Sequence, residues 1–191
     1  MLKGLLIFTL LFNGLPALAM ASNDQSPNKF GLVTGYADQQ FLTVSYHFEN
    51  WFFKGQYNHR LWDSGKWEVD KVFQPQFNLT RYRPVDEIPE IEKGYEFGLN
   101  PGFMVEYNIH DPLSAYFLFT SGPHFISGTP ERQIDGFIFS NNLAIGKITQ
   151  LSNTWHLDLR AGFRHVSNAS TRSPNGGINS VSWLGGLLYD F

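Results

Sequence analysis

The chain has 191 residues, no cysteine and a formal net charge of −3. The charge argues against nucleic acid as a partner, and the lack of thiols excludes disulfides, zinc–thiolate sites and cysteine nucleophiles. Aromatic residues reach 16% while charged residues are held to 16%, well under the usual quarter. That balance suits a chain with much of its surface in lipid.

Met1, Leu2 and Lys3 form a short basic start, and Gly4 to Ala19 is apolar apart from Thr9, Asn13 and Pro16. Small residues follow as Ala17-Leu18-Ala19 and Ala19-Met20-Ala21. This is the pattern of a secretory signal peptide, 1–21, with cleavage expected after Ala19 or Ala21. The remainder, 22–191, is the length of a single domain. It contains no second long apolar run, so no transmembrane helix is expected.

From there the chain reads with a period of two, which places alternate side chains on opposite faces of a strand. Strands are expected near 29–37, 40–48, 66–82, 94–108, 114–127, 135–148, 154–167 and 179–190. In the second of these, Leu42, Val44, Tyr46 and Phe48 alternate with Phe41, Thr43, Ser45 and His47. The stretch 51–62 reads either as an extension of a neighbour or as a short interface segment. In 95–107 the odd positions are Tyr, Phe, Leu, Pro, Phe, Val and Tyr, and the even ones are mostly Glu, Gly and Asn. Phe137, Phe139, Leu143 and Ile145 oppose Ser140, Asn142, Ala144 and Gly146. Trp155, Leu157, Leu159, Ala161 and Phe163 oppose His156, Asp158, Arg160, Gly162 and Arg164, which are expected to form a charged lumen. Turn-forming residues fill 84–93, 127–135 and 170–177.

Large apolar residues on one face and small or polar ones on the other, over an even number of strands, describe an all-β, eight-stranded antiparallel transmembrane β-barrel. The chain also ends Leu187-Leu188-Tyr189-Asp190-Phe191, an alternation closed by a terminal Phe, as outer-membrane barrels end. The expected location is therefore the outer membrane of a Gram-negative cell. A homodimer is left open.

Chemistry concentrates in Arg164-His165-Val166-Ser167-Asn168-Ala169 and in Pro174-Asn175-Gly176-Gly177-Ile178-Asn179-Ser180. On a strand, His165 and Ser167 share a face two residues apart. A serine hydroxyl attacks a carbonyl only when a base takes its proton, and an imidazole is such a base. Both residues continue the outward register of Trp155 to Phe163, so they face the membrane. Polar groups facing hydrocarbon are costly, and the placement makes sense if the substrate is itself a lipid at the interface. A turn centred near Arg172 sets residue 165 opposite Asn179, which is also outward. Ser167, His165 and Asn179 can thus form a triad within one hairpin.

His165-x-Ser167-Asn168-Ala169, followed by Pro174-Asn175-x-Gly177-Ile178, resembles the signature of the PagL-type lipid A 3-O-deacylases. Weaker likeness extends to Gly98-Leu99-Asn100-Pro101, to 122–127 and to 137–146. The resemblance implies an eight-stranded outer-membrane barrel that hydrolyses the ester-linked acyl chain at the 3-position of lipid A. Since an ester needs only a base, a nucleophile and an oxyanion site, no cofactor and no metal are expected. The resemblance also implies Ser167 as nucleophile and His165 as general base. A glutamate orients the histidine in that family, and its place falls here on Asn179. Asn168 and Asn175 are candidates for holding the oxyanion or supporting the site. Arg172, and less favourably the inward Arg164, are candidates for binding lipid A phosphates. Glu131 and Asp135 are the loop carboxylates that could substitute for the missing glutamate. His124 is expected to be structural, and His47, His59 and His110 lack metal-ligand spacing. Two other readings stay open: a non-catalytic small barrel, and a phospholipase or acyltransferase on the same scaffold.

Overall fold

The structure is a computed structural model that describes residues 28–85 and 90–191. The expected signal peptide lies outside the described residues. Eight strands follow in chain order: β1 (Lys29–Asp38), β2 (Phe48–Asp63), β3 (Trp67–Tyr82), β4 (Glu92–His110), β5 (Leu113–Ser127), β6 (Gly136–Gln150), β7 (Trp155–Ser167) and β8 (Ile178–Asp190). Each pairs antiparallel with the next, and β8 pairs with β1 to close the barrel. Lys29 lies opposite Asp190 in that closing pair, so both chain ends leave at one rim. The hairpin loop 168–177 lies at the other.

One element differs from the expectation. The second strand is β2, 48–63, and residues 39–47 form a loop over the rim. The alternation of 40–48 is real but does not continue into a ladder. A turn at Leu42, whose N–H donates to Gln39 O, folds this stretch instead. In β2 the lumen face carries Asn50, Lys54, Gln56 and Asn58, all buried, with Phe52 among them. That aromatic, pointing inward, disguises the period on which the sequence reading relied.

The barrel is inside out relative to a soluble protein. Phe30, Leu32, Trp51, Phe53, Phe77, Phe97, Phe117, Ile145, Leu159, Trp183 and Leu187 are exposed on the outer wall. Glu96, Asn100, His124, Asp158, Arg160 and Arg164 are buried in the lumen. In water that wall would aggregate, whereas in a bilayer it is solvated by acyl chains. A closed ladder also leaves no edge to be satisfied there. Aromatic pairs lie near both rims, Trp155–Tyr189 and Trp67–Tyr107 near one and Tyr36–Trp51 near the other. They suit the two membrane interfaces.

The lumen is filled rather than open. Glu96 takes charge-assisted hydrogen bonds from Arg164 and His124 at its centre. Arg160 pairs with Asp158, which accepts from Tyr116 at 2.5 Å. Beneath the loop rim an apolar cluster of Tyr46, Phe48, Tyr82, Ile126, Ile138, Val166 and Ile178 plugs the barrel. A polar vestibule of about 410 Å³, lined by Lys29, Arg60, Glu68, Glu106 and His156 among others, lies at the opposite rim.

Candidate active site

His165 and Ser167 lie at the end of β7 nearest the loop rim. The residues between and beside them, Arg164 and Val166, are buried inward, while His165 and Ser167 are half-buried on the wall. The register places Asn179 of β8 directly opposite His165. His165 Nδ1 lies 2.7 Å from Asn179 Oδ1. A carboxamide oxygen can only accept, so Nδ1 carries a proton, and in the neutral ring Nε2 keeps the lone pair. That is the tautomer a general base needs. The two loop carboxylates are elsewhere. Asp135 accepts from Gly128 N–H and Thr129 Oγ1, and Glu131 is exposed in its own turn.

Among the described residues no hydrogen bond joins His165 to Ser167. Side chains two apart on one face sit about 7 Å from each other at Cα, a span that a histidine and a serine side chain can bridge. Catalytic hydrogen bonds are often long before substrate binds.

Gly177 shapes the histidine's seat. Its φ is +66°, and a Cβ there would lie 2.7 Å from His165 Cε1. Both the turn and the ring therefore require glycine. Beyond Ser167 the chain bends through two left-handed residues, Ala169 (φ 54°) and Ser170 (φ 60°). The asparagines hold this bend. Asn168, fully buried, donates from Nδ2 to Arg172 O at 2.9 Å. Asn175 Oδ1 accepts from Asn168 N–H at 3.0 Å, and its Nδ2 donates to Ser170 Oγ at 3.1 Å.

The 128–135 loop clamps the 168–177 loop. Gln133 bridges to Asn175 and accepts Gly177 N–H on its side chain at 3.2 Å. Gly176 N–H donates to Arg132 O, and Arg132 donates back to Gly176 O. Arg172 donates one N–H to Asp135 O and leaves the rest of its guanidinium at the exposed rim. Arg164 is buried on Glu96 in the lumen, out of reach of any lipid headgroup.

Two neighbours were not singled out from sequence. Asn141 lies on the outer wall of β6, opposite His165, and its Oδ1 accepts from Ser121 Oγ at 2.7 Å. Ser121, Asn141, His165 and Asn179 thus form a polar row across four adjacent strands. The available signal was an asparagine in the outward register between Phe139 and Leu143. Tyr46, in the loop misread as a strand, reaches the main chain of Asn179.

A wall groove lies lower on the same strands. Its small residues Ala115, Ala161 and Gly185 are flanked by Ile145, Leu159 and Trp183.

A family model described as "Lipid A 3-O-deacylase (PagL)" matches residues 29–186. No curated protein matches the chain in sequence. Among solved structures, the outer membrane enzyme PagL is 16% identical with a TM-score of 0.58, over 83% of this chain and 97% of that one. Neisserial surface protein A is 9% identical with a TM-score of 0.51, over 86% and 96%. Ail, the attachment invasion locus protein of Yersinia pestis, is 16% identical with a TM-score of 0.48, over 87% and 100%.

Proposed function

From the premise that this chain belongs to the lipid A 3-O-deacylase (PagL) family, we propose that it is an outer-membrane serine esterase that removes the ester-linked acyl chain at the 3-position of lipid A. One observation carries the reading: on the lipid-facing wall, His165 is held by Asn179 Oδ1 at 2.7 Å with Ser167 two residues away on the same face. A polar site there serves a substrate that arrives within the membrane. The apolar plug behind Val166 and Ile178 argues against delivery through the lumen.

The orientation follows from export. A signal peptide at 1–21 sends 22–191 across the inner membrane, and the rim carrying both termini faces the periplasm. The 168–177 loop is then outside, at the level of the outer leaflet, where lipid A resides.

Ser167 Oγ attacks the ester carbonyl carbon as its proton passes to His165 Nε2. The carbonyl oxygen becomes an oxyanion. The main-chain N–H groups of Ala169 and Ser170, in the bend that Asn168 and Asn175 hold, are the nearest unspent donors in sequence for it. Collapse breaks the bond to the sugar oxygen, which takes the proton from His165. Water, deprotonated by His165, then attacks the acyl-serine and releases the fatty acid. Serine, base and oxyanion donors account for every step. Arg172, exposed at the rim, would pair with a lipid A phosphate, and the groove along β7 and β8 would offer an apolar bed to a chain.

The test is a fluorophosphonate ester carrying an acyl chain, added to the purified barrel in micelles. The reading expects one covalent adduct on Ser167, and release of hydroxy fatty acid from lipid A but not from phospholipid. Phospholipid cleavage at equal rate would assign a different lipase, and no adduct with no product would leave a non-catalytic barrel.

A further inference from the structure

β1 ends short of the candidate site. Its last partner on β8 is Val181, opposite Asp38, whereas Asn179 is paired only on its other side, with His165. In an antiparallel ladder a residue's N–H and C=O point to the same neighbour. At Asn179 they point to the side where β1 has stopped, and a single side chain meets both. The Tyr46 hydroxyl accepts from Asn179 N–H at 2.6 Å and donates to Asn179 C=O at 2.9 Å. One oxygen thus does the work of a missing strand residue.

Tyr46 is itself fixed. Its ring is buried with Phe48, Ile138 and Ile178 in the apolar plug. The Arg132 guanidinium lies over that ring at 4.7 Å while donating to Gly176 O in the loop after Ser167. Gln39 anchors the tyrosine's own loop by accepting Phe48 N–H at 3.1 Å. Outside, Phe41 of the same loop meets Trp183 of β8 edge-on at 6.3 Å. Burial pushes the phenol above its ordinary pKa, so the hydroxyl keeps the proton it donates.

The geometry assigns Tyr46 as the positioning residue that fixes the main chain of Asn179, and through the Asn179 side chain the tautomer and aim of His165. Tyr46 touches neither substrate nor reacting atoms. The inference rests on the triad reading above.

The experiment compares kcat and KM on lipid A in micelles for wild type, Tyr46→Phe, Asn179→Ala, the double variant and Tyr82→Phe. Tyr82 belongs to the same plug, and its hydroxyl goes to Glu92, not Asn179. Tyr46→Phe keeps the ring and removes only the bridging oxygen. It is expected to lower kcat about tenfold, the scale of one net hydrogen bond, with KM nearly unchanged. In the Asn179→Ala background it should add less than about twofold, since residues acting through one another are non-additive. Tyr82→Phe should match wild type.

The Asn179 amide should be protected from hydrogen exchange in the wild type and lose that protection in Tyr46→Phe. An unprotected wild-type amide, an undiminished kcat, or a full additional loss on top of Asn179→Ala would overturn the assignment. Ser167→Ala separates the two levels. If it stays fully active, the triad itself falls, and this inference with it. If it is inactive while Tyr46→Phe is unimpaired, only the role of Tyr46 falls.

Discussion

In the proposed mechanism, Asn179 supplies an amide oxygen where a carboxylate would both orient the imidazole and answer the charge gained on taking the serine's proton. The oxygen accepts Nδ1–H, so orientation is kept, but the imidazolium finds no negative partner. Restoring the charge by Asn179→Glu is therefore expected to raise kcat, by about tenfold for each ~1.4 kcal/mol of added transition-state stabilisation. Asn179→Leu removes the acceptor and should cost at least as much in the other direction. Both are read from initial rates of fatty-acid release. Gly177 gives a second test at this scale. Gly177→Ala forces an L residue to a φ of +66° and sets a methyl 2.7 Å from His165 Cε1. The left-handed backbone alone costs roughly 1–2 kcal/mol, and displacement of the ring should cut kcat further while the barrel stays folded. A kcat equal to wild type would mean that the ring's present seat is not the reactive one.

The β7–β8 hairpin is the element that turns a sequence motif into a site. Its register sets 165 opposite 179 and keeps both on the wall, so the facing of His165 by Asn179, with Ser167 on the same face, was legible from alternation and one turn. Seven of the strands were legible for the same reason. β2 was not, because Phe52 points into the lumen, while 40–48 alternates only by chance. That exchange hid Tyr46. Asn141 was hidden differently: its nearness to His165 depends on the register between β6 and β7, which a local period does not reveal. The clamp from 128–135 was also beyond the sequence, since its contacts join loops 37 to 44 residues apart. Its contribution can be measured. Gln133→Ala frees the Gly177 N–H and should slow turnover by several-fold through a looser loop, seen as faster proteolysis near residues 168–177. Unchanged cleavage and turnover would remove the clamp from the account.

For the whole molecule, the inverted distribution of polarity is both the stabilising feature and the reason the proposed site lies outside. The lumen cannot admit a lipid, because Glu96, Arg164 and His124 fill its middle and an apolar cluster closes it above. Removing one partner of that buried network, as in Arg164→Met, leaves Glu96 without its strongest counter-charge and should cost about 3–5 kcal/mol. The loss would appear as a lower urea midpoint for unfolding from vesicles, with His165 and Ser167 untouched. A charge on the wall acts differently. Leu159→Arg should cost about 2–4 kcal/mol if that position lies near the bilayer midplane, and much less in detergent, where the side chain can reach water. Equal cost in both media would place Leu159 outside the hydrocarbon. These two substitutions separate a barrel held by its lumen from one held by its solvent.

The measurement that bears most directly on the central claim is mass spectrometry of lipid A from cells expressing the protein, beside cells expressing Ser167→Ala, with both barrels shown to be folded in the outer membrane. The account predicts loss of one ester-linked hydroxyacyl chain with the wild type and intact lipid A with the variant. Identical lipid A from the two, whether both intact or both shortened, would contradict it.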